Sequence, residues 1–198
     1  DVLLLGAGGS ARAVAFQLSD HLAGGTLVIS NRTLEHAVPL VAAIRKTGRK
    51  ALAIGETEVS RWAPKVGLII NATSKGQGGS HLESYSALAP AHPEPAAERE
   101  STVPSQTDIE SNKALSIELA ATVPKSVCFY DLIYFPEETV FLRHARLTGH
   151  PTMNGKSMIV NQAVIGCCSR VCRAELEARG LDNPETCTKI LEIMYHAW

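Results

Sequence analysis

Gly6, Gly8 and Ala11, in the stretch GAGGSA, stand at the spacing G-x-G-x-x-G/A. Residues 1–5 before them are mostly apolar and of strand length, and Ala11, Val14, Ala15, Leu18 and Leu22 after them recur at helical intervals. Strand, tight turn and helix in that order is the setting in which such glycines bind a dinucleotide. Gly6 permits the sharp turn, Gly8 lets a pyrophosphate approach the backbone, and the small Ala11 lets the helix pack on the strand. The unpaired N–H groups of the helix then face the phosphates. Gly9 opens the loop further. A plain strand-to-helix connection is the competing reading of these glycines.

The second chemical signal closes the next strand. TLVISNRT ends in Asn31, Arg32 and Thr33. An NAD site places a carboxylate there for the ribose 2′-hydroxyl, and here a guanidinium stands instead. Arginine is always charged and presents a planar fork suited to phosphate, so the 2′-phosphate of NADP is the ligand this position favours. A surface arginine opening the next helix is the bland alternative.

These residues need a scaffold, and the composition allows an ordinary one. The chain has 198 residues, 45% hydrophobic and 20% charged, enough for one good core or one core with an appendage. A net charge of −1 argues against a nucleic-acid or membrane surface. No apolar run reaches transmembrane length. Ala11-Arg12-Ala13 mimics a signal cleavage site, but no basic region precedes it and the apolar run is too short. Cys128, Cys167, Cys168, Cys172 and Cys187 form no Cys-x-x-Cys pair and lack a histidine at metal spacing, so buried thiols in a reduced, cytoplasmic protein are expected.

Strand and helix patterns alternate along the chain. A helix over 33–48, kinked at Pro39, leads to strands over 50–54 and 67–73, with a short helix near 56–62 between them. This rhythm predicts an α/β, Rossmann-type, doubly wound parallel sheet. Over 76–111, glycines and then Pro90, Pro93, Pro95 and Pro104 break the pattern, which reads as an extended, mobile insertion. A helix over 112–122, a buried strand in SVCFYDLIY and two or three helical segments after Thr139 complete the expectation. No internal repeat is visible.

GAGGSAR, NRT, NATSKG, YDLIYFPEET and GKSMIVNQA occur in this order. Together they resemble the shikimate/quinate dehydrogenase family across nearly the whole chain, apart from a proline-rich stretch longer than is usual there. The resemblance implies one NADP-binding Rossmann domain over 1–198 with C-terminal helices. Gly6 to Ser10 would hold the pyrophosphate, Asn31 to Thr33 the 2′-phosphate, and Asn71, Ala72 and Thr73 the nicotinamide half. Leu132, Gly155 and Met158 would approach the cofactor, and Tyr134 and Gln162 the substrate. Gly155, Met158 and Gln162 share a face if they open one helix, and Gln162 could donate to and accept from hydroxyls. Lys75 and Lys156 read as exposed lysines, and His81, His144 and His150 lack partners that would argue for catalysis.

In that family the catalytic Lys and Asp lie in a domain upstream of the glycine loop, so the expectation is that this chain holds no catalytic residue and lacks its N-terminal substrate domain. Its partners would be that domain and shikimate or 3-dehydroshikimate. Apolar faces over 158–176 or 190–198 would be left open, inviting a homodimer or aggregation. The implied reaction is hydride transfer between 3-dehydroshikimate and shikimate, on the route to aromatic amino acids. Quinate as substrate, or a non-catalytic NADP-binding regulatory module, are the alternatives.

Overall fold

The computed structural model describes residues 1–91 and 105–197. Six strands, β1 (Val2–Leu5), β2 (Thr26–Asn31), β3 (Lys50–Gly55), β4 (Leu68–Asn71), β5 (Cys128–Asp131) and β6 (Thr152–Met153), form one parallel sheet. Their order is β3-β2-β1-β4-β5-β6. The central strands are apolar on both faces: Leu3 stands opposite Val28 and Ile69, Leu4 opposite Ile29 and Ile70, and all six are buried. A parallel sheet needs this composition, because its crossover helices cover both sides. Each such side chain contributes roughly 1.5–3 kcal/mol by leaving water. The order reverses between β1 and β4, which opens a crevice at the carboxyl edge, where sheets of this kind bind ligands.

The helices α1 (Gly9–His21), α2 (Leu34–Arg45) and α3 (Val59–Trp62) belong to the first crossovers, and α2 continues through Pro39. Helix α4 (Gln106–Thr122) begins earlier than the apolar pattern suggested. Ser105 caps it by accepting from the Asp108 amide at 3.1 Å, while the Asp108 carboxylate accepts from the Ser105 amide at 3.2 Å. This reciprocal cap supplies the start that hydrophobic spacing does not mark. Helix α5 (Val140–Leu147) and β6 follow; β6, two residues long, carries too little pattern to be foreseen.

The insertion expected over 76–111 is in part core. Tyr85, Ser86, Ala87, Leu88, Ala89 and Ala91 are buried. Asn112 of α4 fastens them: its Oδ1 accepts from the Ser86 amide at 2.8 Å, and its Nδ2 lies 3.1, 3.0 and 2.9 Å from the carbonyls of Ser86, Ala89 and Pro90. Ser116 continues the network to Ser86 Oγ at 2.7 Å and to His144 Nδ1 at 2.9 Å. One asparagine thus satisfies a loop whose backbone would otherwise be buried unpaired. Residues 92–104, with most of the prolines behind the mobile reading, lie outside the described residues.

Residues 155–198 form a separate unit. It contains α6 (Lys156–Gly166), a π-turn (Cys167–Val171), α7 (Arg173–Ala178) and α8 (Pro184–Ala197). Its Ile165, Val171, Leu181 and Ile193 are exposed. All five cysteines are free thiols; Cys168 is buried and the others are half-buried, so the expectation of buried thiols holds fully only for Cys168. Among the described residues no helix is long and apolar enough to cross a membrane, and no cluster could hold a metal ion.

Candidate functional site

At the carboxyl edge of β1, the Gly6 amide donates to the Ser30 carbonyl at 2.7 Å, with φ at +108°. A Cβ there would lie 2.9 Å from the Ala72 carbonyl oxygen, so both the dihedral and the space demand glycine. Gly8 differs: it is the N-cap of α1, and a Cβ on it would meet nothing within 4 Å. Packing does not require this glycine; the space beside it is left open. No side chain caps α1 and its first turn holds no acidic residue, so the amides at its N-terminus are left for an anion.

These residues border a cleft of about 330 Å³, lined by Gly6, Ala7 and Gly8 from the turn, Asn31, Arg32 and Thr33 from the end of β2, and Ala72 and Thr73 from the end of β4. Asn31 shapes the strand end by donating to the Thr33 carbonyl at 2.8 Å. Arg32 is exposed and makes no hydrogen bond or ion pair among the described residues. An uncommitted guanidinium on the rim of a cleft floored by helix N–H groups suits a second phosphate.

Lys75 corrects the reading of an exposed loop lysine. It is buried, and its Nζ donates to Glu56 Oε1 at 2.6 Å and to the Ala89 carbonyl at 2.9 Å. Burial lowers its pKa, the Glu56 carboxylate opposes that shift, and the nearby Arg32 charge adds to it. Lys75 and Glu56 both line the cleft as a neutralised pair. Of the arginine and lysine lining this cleft, Arg32 is therefore the one without an ion pair among the described residues.

A second cleft of about 390 Å³ shares Ala72 and Thr73 with the first and is bounded by Ser10, Gln77, Gly78, Leu132, Ile133, Tyr134 and Phe135. Leu132 and Tyr134 come from the segment after β5, and Tyr134 is well exposed. No carboxylate, imidazole or ammonium is among the residues lining it.

Asn71 needs a correction. It is fully buried and lines neither cleft. Its Oδ1 accepts from the Thr73 amide at 2.9 Å and from Thr73 Oγ1 at 2.7 Å, and its Nδ2 donates to the Lys75 carbonyl at 3.1 Å and to Asp131 Oδ1 at 3.0 Å. With its polar atoms engaged inside the protein, it shapes the loop that carries Ala72 and Thr73. Gly9 also lines neither cleft; it opens α1, exposed. Gly155 is the N-cap of α6, and Met158 and Gln162 lie one turn apart within that helix, in the separate unit.

Asp131, in the quoted motif but not singled out, ties the elements beneath the second cleft. Its Oδ2 accepts from Thr139 Oγ1 at 2.7 Å and its Oδ1 from the Ile133 amide at 3.0 Å, besides Asn71. Burial nonetheless pushes its pKa up to about 6, against the pull of those bonds. The folded value exceeds the unfolded one of about 3.9, so stability linked to this group is full below pH ~4 and is lost as pH rises through about 6. The unfolding free energy of wild type minus that of Asp131→Asn should therefore fall by about 2 kcal/mol between pH 4 and pH 7. Chemical denaturation of both proteins across that range checks it, and a difference that does not vary with pH would exclude a raised pKa.

No family model matches the chain. Among curated proteins, the shikimate dehydrogenase (NADP(+)) of Caldanaerobacter subterraneus is 33% identical over 160 residues, 81% of this chain and 45% of its own length. The enzyme of the same name from Caulobacter vibrioides is 34% identical over 164 residues, 82% of this chain and 44% of its own length. The chain is a homologue of the shikimate dehydrogenases. It spans less than half the length of these relatives. A Thermus thermophilus shikimate 5-dehydrogenase, solved in complex with NADP(H) and shikimate, matches at a TM-score of 0.56 and 26% identity, over 98% of this chain and 54% of that one. Quinate dehydrogenase from Corynebacterium glutamicum, at 23% identity and a TM-score of 0.61, covers 100% of this chain and 55% of its own, and shows the fold. The Rossmann-type sheet is thus shared with this group of dehydrogenases.

Proposed function

We propose that the chain is the cofactor-binding portion of an NADP-dependent shikimate dehydrogenase, acting in the interconversion of 3-dehydroshikimate and shikimate. The observation that carries the cofactor choice is Arg32, uncommitted at the end of β2 on the cleft that the glycine turn floors. Gly6, Ala7 and Gly8 bring backbone to the pyrophosphate, Gly9 and Ser10 open the helix that faces it, and Asn31, Arg32 and Thr33 hold the 2′-phosphate. Ala72, Thr73 and Leu132 border the nicotinamide half, with Gly155 and Met158 assigned to the same cofactor from α6. Asn71 acts behind Thr73. When bound, NADP supplies the hydride; the chain binds and orients it. Tyr134 and Gln162 are assigned to the substrate hydroxyls.

A second reading, a non-catalytic NADP-binding module, draws support from the second cleft, whose lining residues include no carboxylate, imidazole or ammonium. Both readings require NADP recognition. Calorimetric titration with NADP, NAD and 2′,5′-ADP is expected to show binding of the first and third and much weaker binding of NAD. Failure of both 2′-phosphorylated ligands to bind would overturn the proposal, and equal affinity for NAD would overturn its cofactor choice.

A further inference from the structure

We propose that Phe135 is the wall of the second cleft against which the nicotinamide ring lies, and that residue 78 is glycine so that this wall can stand. The inference rests on the NADP reading and goes beyond it to a residue that the motif comparison did not assign.

Phe135 lines the second cleft, and it is 66% exposed. An exposed apolar ring adds little to folding, yet this one is held in place. The Gly78 amide donates to the Phe135 carbonyl at 2.9 Å, joining the loop after β4 to the loop after β5. A Cβ on Gly78 would lie 2.5 Å from Phe135 Cδ1 and 2.6 Å from Cε1, closer than real contacts of that kind. Gly78 is not among the glycines of positive φ, so its backbone does not require glycine. The Phe135 ring does. Two loops are thus built around one aromatic side chain that remains open to the cleft.

The rest of the lining suits a flat heteroaromatic ring with a polar substituent. Tyr134 adds a second aromatic, while Ser10, Thr73 and Gln77 offer hydroxyl and amide groups at the margin. A dinucleotide whose 2′-phosphate sits at Arg32 and whose pyrophosphate sits at α1 must carry its other half across the strand-order reversal, toward this cleft. Its nicotinamide is such a ring, and offset stacking on Phe135 would fix its plane.

The test compares NADP with 2′,5′-ADP, which carries the 2′-phosphate end and lacks the nicotinamide. Calorimetry on the full chain is expected to show Phe135→Ala binding NADP about tenfold more weakly, the scale of one lost base-stacking contact, while 2′,5′-ADP stays within about twofold. Gly78→Ala should shift the same ligand in the same direction, because its methyl group displaces the ring. The double variant should be no worse than Phe135→Ala, since no ring then remains to displace. Phe135→Leu, which keeps apolar bulk without a stacking face, should fall between. Undiminished NADP binding by Phe135→Ala, or an equal loss for both ligands, would overturn the inference; the latter would mean that Phe135 only supports the fold. If neither ligand binds the wild-type chain, the NADP reading itself fails and the inference fails with it.

Discussion

Replacing Arg32 by alanine is expected to weaken NADP binding roughly ten- to a hundredfold and to leave NAD nearly unchanged. A hydrogen bond between charged partners contributes ~1.5–3 kcal/mol, and each 1.4 kcal/mol is about tenfold in affinity. The loss should reach this full range because Lys75, the other lysine or arginine lining the cleft, is not free to substitute. Lys75 is committed to Glu56 and Ala89, and its burial already disfavours its charge. NAD has no 2′-phosphate and so does not need the guanidinium. Arg32→Lys should recover part of the affinity, since it restores the charge without the planar fork. Raised salt should narrow the difference between wild type and Arg32→Ala, as the site is open to solvent. Calorimetry with both cofactors decides the matter: equal loss of NADP and NAD would show that Arg32 supports the turn and does not read the phosphate.

What the sequence disclosed and what it concealed divide along a physical line. The glycine turn, the strands around it and the Asn31-Arg32-Thr33 strand end are local patterns: each is set by residues within a few positions of one another, and each lies where its pattern placed it. Lys75 is a different case. Its partner Glu56 lies nineteen residues away in sequence and is brought to it only by the packing of two loops at the sheet edge. Nothing in NATSKG distinguishes a buried lysine from an exposed one. Asp131 likewise owes its raised pKa to burial, and its partner Asn71 lies sixty residues away in sequence. The segment over 85–91 reads as loop because its small, polar and apolar residues show no period. It is ordered by Asn112, a residue of the next helix that looks like surface until the loop is packed on it. The capping pair Ser105 and Asp108, by contrast, carries a signal readable in the sequence, a serine followed three residues later by an acid.

Residues 1–198 alone are expected to bind NADP yet to produce NADPH from shikimate at a rate at least a hundredfold below that of the same chain joined to a complementary substrate domain. Oxidising an alcohol by hydride transfer leaves a hydroxyl proton that must be taken up as the carbonyl forms, and a positioned acid–base group commonly contributes ~10²–10⁴-fold. The second cleft offers hydroxyls, an amide and aromatic rings, with no carboxylate, imidazole or ammonium among its lining residues. Asp131 cannot serve: it is fully buried beneath the cleft, and both its oxygens already accept hydrogen bonds. Lys75, the other buried titratable group here, lines the first cleft and is tied to Glu56. The relatives are more than twice as long as the matched region, and the proposed function looks to their unmatched part for the acid–base group. Supplying the unmatched portion of the Caldanaerobacter enzyme, fused or in trans, should therefore restore shikimate-dependent NADPH formation. In that assembly Gln162→Ala should raise the KM for shikimate more than the KM for NADP, if the role proposed for its amide, with the substrate hydroxyls and not with the 2′-phosphate, holds. Rapid turnover by residues 1–198 without any addition would mean that a proton acceptor lies within this chain after all, and would remove the reason for seeking one elsewhere.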